Sequence, residues 1–276
     1  MGKFDGMLLV SDLDGTLLDD RKQVPQANLD AIRYFQSEGG VFTLGTGRTY
    51  ETSRVFYRMA EANGPIVCFN GSALYDFDKE DYVWYEAVDD TAFCTVVDEI
   101  EQAFPGIGIE VYTDRKLYFY RENAFSDAHL AREPLTHVVE DYHQDAHRIW
   151  MKSIFTDSAE RLQQVEAFVQ QQRYTERFPS IRFVYSEKTF FELLGKEGTK
   201  GTGLLALAKY LGIDRTRTCA IGDNYNDEEM LREAGMSFCP ENGVPAMKAL
   251  AGAITRNNNQ GAIADAVAWM EQNWAK

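Results

Sequence analysis

Met7-Leu8-Leu9-Val10-Ser11-Asp12-Leu13-Asp14-Gly15-Thr16 is the stretch on which the reading of the chain turns: a short apolar run passes directly into a polar turn with two carboxylates. A strand that is apolar without alternation suits a parallel sheet, because crossover helices cover both of its faces. Three further runs repeat the arrangement. Residues 41–44 lead into Gly45-Thr46-Gly47-Arg48, residues 66–69 into Asn70-Gly71-Ser72, and residues 219–221 into Gly222-Asp223-Asn224. Helical periodicity occupies 28–37, 202–211 and 227–233, each followed by a glycine that can close a helix. Alternating strands and helices predict an α/β fold with a doubly wound parallel sheet. Such sheets bind ligands beyond the carboxyl ends of their strands, where these polar clusters fall.

The 276 residues, 45% hydrophobic and 13% aromatic, suffice for two domains with filled cores and exclude a disordered chain. A net charge of −15 repels nucleic acid phosphates and anionic lipid, so neither a nucleic acid nor a membrane is an expected partner. The N-terminal segment lacks a signal-peptide core, and no apolar run approaches the roughly 18 residues of a membrane span. A soluble cytoplasmic protein is expected. Cys68, Cys94, Cys219 and Cys239 are far apart in sequence, which points to free thiols rather than a zinc ribbon or a disulfide framework.

The middle of the chain follows a different pattern. Aromatic runs flank Phe77-Asp78-Lys79-Glu80-Asp81 within 73–86, and a second hairpin is predicted where Thr113-Asp114-Arg115-Lys116 separates 109–112 from 117–120. Strands are expected at 149–155, 182–185 and 189–194, and helices at 90–103 and 158–172. We read an α+β module at 87–189, inserted into an outer domain made of 1–86 and 190–276.

Four clusters bear on chemistry. Asp12 and Asp14, two positions apart at a strand end, can face one cavity. Thr46 between Gly45 and Gly47 offers a hydroxyl and backbone N–H groups to an anion, with Arg48 beside it. Lys200, in Gly198-Thr199-Lys200-Gly201-Thr202, stands at a helix start. Asp223 and Asp227 follow the last of the four strands. Singly, each is an ordinary turn, cap or surface charge. At the ends of one sheet, Asp12, Asp14, Asp223 and Asp227 would repel strongly unless a divalent cation joined them, and an all-oxygen ligand set suits Mg2+. These groups fit phosphoryl transfer to an aspartate.

With these motifs the sequence resembles the haloacid dehalogenase superfamily, in its Cof-type or IIB sugar-phosphatase-like branch. The matching residues are Asp12-Leu13-Asp14-Gly15-Thr16, Thr46-Gly47-Arg48, Lys200-Gly201, and Gly222-Asp223 with Asn226-Asp227; Asn70-Gly71 matches a turn of that branch. From Asp14 to Thr46 the chain runs 32 residues, too few for a cap, but from Thr46 to Lys200 it runs 154, ample for one. The resemblance implies a Rossmann-like core with an inserted C2-type cap. It implies Asp12 as nucleophile, Asp14 as acid and base, and Mg2+ on Asp12, the Asp14 carbonyl and Asp223. Leu13, Thr46, Gly47, Arg48, Asn70, Gly71, Lys200 and Asn226 are implied around phosphate or substrate, with Asp227 orienting Lys200 or a metal-bound water from behind.

The activity so implied is a Mg2+-dependent phosphatase acting on small phosphorylated metabolites, sugar phosphates foremost, through an aspartyl-phosphate. A phosphomannomutase-like phosphotransferase and a non-catalytic sugar-phosphate-binding regulator are the alternatives, and the intact Asp12 and Asp14 weigh against the regulator. No protein partner is implied. His129, His137, His143 and His147 fall within 19 residues, and His143 and His147 stand four apart, conceivable as a metal pair on a helix but better read as a polar segment of the cap. The leaving group is not legible.

Overall fold

A computed structural model describes residues 2–132 and 135–274. The chain divides into two compact units, one of Met1–Trp84 with Thr199–Lys276 and one of Tyr85–Gly198. In chain order the elements begin with β1 (Leu8–Ser11), α1 (Gln26–Ser37), β2 (Val41–Leu44), α2 (Tyr50–Met59), β3 (Ile66–Cys68), β4 (Ala73–Asp76) and β5 (Asp81–Tyr85). The second unit holds α3 (Asp90–Ala103), β6 (Gly108–Thr113), β7 (Leu117–Arg121), α4 (Ala124–Arg132), β8 (Trp150–Thr156), α5 (Ala159–Gln171), α6 (Tyr174–Arg177), β9 (Ile181–Glu187) and β10 (Phe190–Gly195). The chain then returns to the first unit with α7 (Lys200–Leu211), β11 (Thr218–Ile221), α8 (Glu228–Glu233), β12 (Met236–Pro240), α9 (Pro245–Leu250), β13 (Ala253–Thr255) and α10 (Ala262–Asn273).

The first unit is α/β. Its sheet runs β13-β12-β11-β1-β2 with every pair parallel. β1 is flanked by β11 and β2 and is buried at all four positions, which accounts for its unbroken apolar run. The third apolar run behaves differently from the expectation that it shares this sheet. β3 pairs antiparallel with β4 in a separate sheet, β3-β4-β5, and reaches β2 through a parallel bridge between Gly45 and Val67. The cause is local: Phe69, Asn70 and Gly71 all take positive φ (52°, 54° and 96°), so the chain reverses after three strand residues.

α1 begins at Gln26 rather than at 28, because Pro25, with φ of −55°, presets the helical turn. Asn28 therefore lies inside the helix and is buried. Its Oδ1 accepts the N–H groups of Ile263 and Ala264 at 3.0 and 3.2 Å, so a side chain of α1 satisfies the otherwise unpaired start of α10.

The second unit is a five-stranded antiparallel sheet, β7-β6-β8-β10-β9. The sequence reading gave residues 190–276 to the outer domain, but β10 pairs with β8 and β9, so the units part between Gly198 and Thr199. α3 and α5 pack Val96, Ile100, Leu162 and Val165 onto Ile109, Val111, Phe155 and Leu193 of the sheet. The alternate strand positions hold buried polar groups: Lys152 pairs with Glu192 at 3.1 Å, and Glu110 accepts His129 Nδ1 at 3.0 Å. His143 lies in the single 3-10 turn Tyr142–Gln144, between Asp141 and Asp98, and His147 lies beyond that turn against Arg115. The pair spaced four apart thus shares no helix, and each of the two has its own partners. Among the described residues no helix is long and apolar enough to cross a membrane.

Gly71 sets the relation between two chain segments of the first unit. A Cβ at this position would stand 1.8 Å from the carbonyl oxygen of Thr199 and 2.5 Å from the backbone nitrogen of Lys200. Gly71→Ala is expected to cost about 2–4 kcal/mol, since it adds both left-handed strain and a backbone clash. Urea denaturation checks this, and wild-type stability of the variant would contradict the packing described.

Candidate active site

Asp12 follows β1 directly. Its N–H continues the sheet by donating to the Ile221 carbonyl at 2.9 Å, so the side chain projects from the carboxyl end of the central strand. Lys200 opens α7 after its N-cap Thr199, whose hydroxyl accepts the Thr202 N–H at 3.1 Å. The Lys200 ammonium is buried and donates to Asp12 Oδ1 and to Asp227 Oδ1, both at 2.6 Å. Asp227 is fully buried, and its Oδ2 accepts the N–H groups of Asp223 and Asn224 at 2.9 and 3.0 Å in a capping box. Asp223 Oδ1 accepts the Thr16 hydroxyl at 3.0 Å. Gly15 allows this approach, as a Cβ there would come within 2.7 Å of Asp223 Oδ2.

Carboxylate oxygens of Asp12, Asp223 and Asp227 lie within 4.8 Å of one another. Three carboxylates against the single Lys200 ammonium leave two negative charges uncompensated. The consequences follow the charge balance. Burial, opposed by Lys200 and reinforced by Asp227 and Asp223, pushes the Asp12 carboxyl well above its usual range. Burial and then Asp227 push Asp223 up to about 6. Burial opposes the charge on Lys200, but Asp12 and Asp227 outweigh it and raise the ammonium's pKa. A divalent cation matches this hard-oxygen deficit in sign and size. Asp227 has both oxygens engaged, one by Lys200 and one by backbone N–H groups, so Asp12 and Asp223 are the side chains better able to ligate.

Asp14 stands apart from that trio. Its Oδ2 accepts Arg48 Nε at 3.0 Å, and its Oδ1 accepts Lys22 Nζ at 2.5 Å. Burial opposes the charge, yet Arg48 and Lys22 outweigh it and hold this carboxyl below the usual range. Arg48, expected on the phosphate, is here on Asp14, with its guanidinium over the Phe56 ring at 5.2 Å.

The second and third loops are tied together by backbone. Asn70 N–H donates to the Thr46 carbonyl and Phe69 N–H to the Arg48 carbonyl, each at 3.0 Å. Thr46 is buried, and its hydroxyl accepts the Arg48 N–H at 3.2 Å. Asn70 Oδ1 accepts Asn226 Nδ2 at 3.2 Å, while Asn70 Nδ2 is buried without a hydrogen-bond partner. A buried unpaired donor is costly, and an anionic oxygen would satisfy it. Gly47 leaves room beside it, since a Cβ would fall 2.9 Å from Asn70 Oδ1.

Sequence reasoning missed Lys22 and Asn242. Lys22 has no motif spacing to mark it, and Asn242, whose amide donates to the Gly15 carbonyl at 2.7 Å, is remote in sequence. Thr16 was within the quoted motif but had no role assigned to it.

A family model described as haloacid dehalogenase-like hydrolase matches residues 9–267. Among curated proteins, the 5-amino-6-(5-phospho-D-ribitylamino)uracil phosphatase YitU of Bacillus subtilis is 24% identical over 271 residues, spanning 93% of this chain and 94% of that protein. A solved haloacid dehalogenase-like hydrolase from Bacteroides thetaiotaomicron superposes with a TM-score of 0.82 at 23% identity, over 96% of this chain and 99% of that one. A solved subclass IIB sugar phosphatase superposes with a TM-score of 0.78 at 16% identity, over 96% and 98%.

The raised Asp223 carboxyl generates a linkage prediction. Between the ordinary value of 3.8 and about 6, the metal-free folded chain binds more protons at this group than the unfolded chain, so its contribution to stability falls as pH rises through that window. A divalent cation binds the ionised form. Added Mg2+ is therefore expected to raise Tm strongly above pH 6 and weakly below it, as read by thermal melts on either side of that value. Equal increments on both sides would contradict the charge balance.

Proposed function

The chain belongs to the haloacid dehalogenase-like hydrolase family and is a phosphatase, and on that premise we propose that it hydrolyses small phosphorylated metabolites, sugar phosphates foremost, through an aspartyl-phosphate on Asp12. The observation on which this rests is the trio of Asp12, Asp223 and Asp227 around Lys200, two of them buried and Asp223 partly so, with its two uncompensated negative charges. A phosphate dianion could not approach that trio unaided. Mg2+ fits it, held by Asp12, Asp223 and the Asp14 carbonyl, and when bound it would neutralise charge on the carboxylates and on the transferring phosphoryl group.

The chain's own groups divide the remaining work. Asp12 attacks phosphorus, the bond to the leaving oxygen breaks, and Asp14, which must take up a proton before this step, gives it to that oxygen. Water then attacks the phosphorus, its proton goes to Asp14, and the bond to Asp12 breaks with the electron pair returning to the carboxylate. Lys200, the Thr46 hydroxyl, Asn226, the unpaired Nδ2 of Asn70 beside Gly71, and the N–H groups of Leu13 and Gly47 are the donors proposed for the phosphoryl oxygens. Positioning and charge neutralisation of this kind are most of what phosphoryl transfer needs.

These groups account for phosphate and leave nothing dedicated to the alcohol. We therefore assign leaving-group selection to the inserted unit, Tyr85–Gly198, as a cap. Support for a sugar or polyol phosphate comes from the relative whose name specifies a phosphorylated ribitylaminouracil and from the structural neighbour described as a sugar phosphatase.

Asp12→Asn keeps shape but removes the nucleophile. It is expected to fold and to lose activity by about 10³-fold or more against an aryl phosphate, and excess EDTA is expected to abolish wild-type turnover. Steady-state phosphate release, with circular dichroism as the folding control, is the measurement. Wild-type turnover in a folded Asp12→Asn would reject the covalent reading, and turnover undiminished by EDTA would reject the metal.

A further inference from the structure

Lys22 belongs to no recognised motif, yet it occupies one oxygen of a reacting carboxylate. Its Nζ donates to Asp14 Oδ1 at 2.5 Å while Arg48 Nε and Nη2 face Asp14 Oδ2 at 3.0 Å, so each carboxylate oxygen has its own cation. A lone exposed ion pair of this kind is a weak stabilising contact, and the Lys22 side chain is 58% exposed. The backbone beneath it argues for a purpose other than stability. Lys22 takes φ of +59°, a conformation that L side chains rarely adopt.

The turn that imposes this conformation is itself closely built. Asp19 Oδ1 accepts the N–H groups of Arg21 and Gln23 at 2.9 and 2.8 Å, and the Asp19 carbonyl accepts the Lys22 N–H at 3.0 Å. The turn is then fastened from the far end of the sequence. Asn258 Nδ2 donates to the Leu18 carbonyl at 3.0 Å and to Asp20 Oδ1 at 3.2 Å, and Asn259 exchanges two bonds with Asp20, at 3.0 Å with its N–H and 3.2 Å with its carboxylate. Asn258 and Asn259 thus anchor the segment that presents Lys22.

We infer that Lys22 is a positioning residue, which with Arg48 holds the Asp14 carboxylate in place for the second half of the reaction, the hydrolysis of the aspartyl-phosphate. The inference rests on the reading of Asp12 and Asp14 given above. Cations on both oxygens leave Asp14 neither free to rotate nor free to drift, so its carboxylate stays where it can take a proton from water. In that step the water oxygen bonds to phosphorus, the phosphorus to Asp12 oxygen bond breaks with its electron pair returning to Asp12, and the proton passes to Asp14. Departure of a nitrophenolate in the first half needs no such proton. The two halves should therefore differ in their need for Lys22.

The test is the kinetics of Lys22→Met and Lys22→Arg with nitrophenyl phosphate, which has this good leaving group. kcat/KM reports the steps up to departure of the leaving group, and kcat includes breakdown of the intermediate. In Lys22→Met, kcat is expected to fall about tenfold while kcat/KM falls less than about twofold, with a burst of nitrophenolate before the slowed steady state. Lys22→Arg, which keeps the cation, is expected to retain most of kcat. Loss of kcat and kcat/KM in parallel, no fall in kcat, or an Arg variant as slow as the Met variant would overturn the inference. Net retention of configuration at phosphorus beside any of these outcomes would show that the covalent reading stands and the role of Lys22 alone fails.

Discussion

Two uncompensated negative charges in a largely buried place are the constraint from which the rest of the candidate active site follows. Asp12, Asp223 and Asp227 converge to within 4.8 Å, and the only cation bonded to them among the described residues is the ammonium of Lys200. A protein could remove this cost by replacing one carboxylate with an apolar residue, as buried ion clusters often tolerate. Here the deficit remains, and it matches a divalent cation, without which an anionic phosphoryl group could not approach. The ammonium bridges the carboxylate at the end of the central strand and the carboxylate of the capping box, so it orders the site without neutralising it.

The parallel sheet makes this convergence possible. β1, β2 and β11 are neighbours in one register, and the loops that follow them hold Asp12, Thr46 and Asp223. Small residues then let those loops close on one another: Gly15 admits Asp223, Gly47 admits Asn70, and Gly71 admits the backbone at the start of α7. Asparagines supply the longer ties. Asn28 caps α10, Asn242 holds the Gly15 carbonyl, and Asn258 and Asn259 fasten the turn at Asp20. Asn70 Nδ2, like the nearby Ser72 Oγ, is buried with no hydrogen-bond partner.

The α/β class was legible because both sides of each boundary carried signal: an apolar run long enough for a buried strand, then a polar turn rich in glycine and aspartate. Asp12 and Asp223 could be singled out for that reason, and Lys200 for its place at a helix start. Features decided by tertiary contact were hidden. β10 reads as a strand in sequence, but only its pairing with β8 and β9 places it in the second unit. The turn at Phe69-Asn70-Gly71 reverses β3 through three successive positive φ values, which a single Asn-Gly signal does not announce. Lys22 is the sharpest case, since its relation to Asp14 exists only once residues 242, 258 and 259 have fixed the intervening turn. Arg48 shows the converse: its motif was visible, but its bond to Asp14 was not.

The central claim is that the phosphoryl group passes through Asp12 on its way to water. Each in-line displacement at phosphorus inverts configuration, so two successive displacements restore it and a single direct attack by water does not. The most direct measurement is the stereochemical course of hydrolysis of a phosphate monoester made chiral with oxygen isotopes, run in isotopically labelled water and read from the configuration of the inorganic phosphate released. Net retention is the predicted result; net inversion would mean that water attacks the substrate directly and that Asp12 is not the nucleophile.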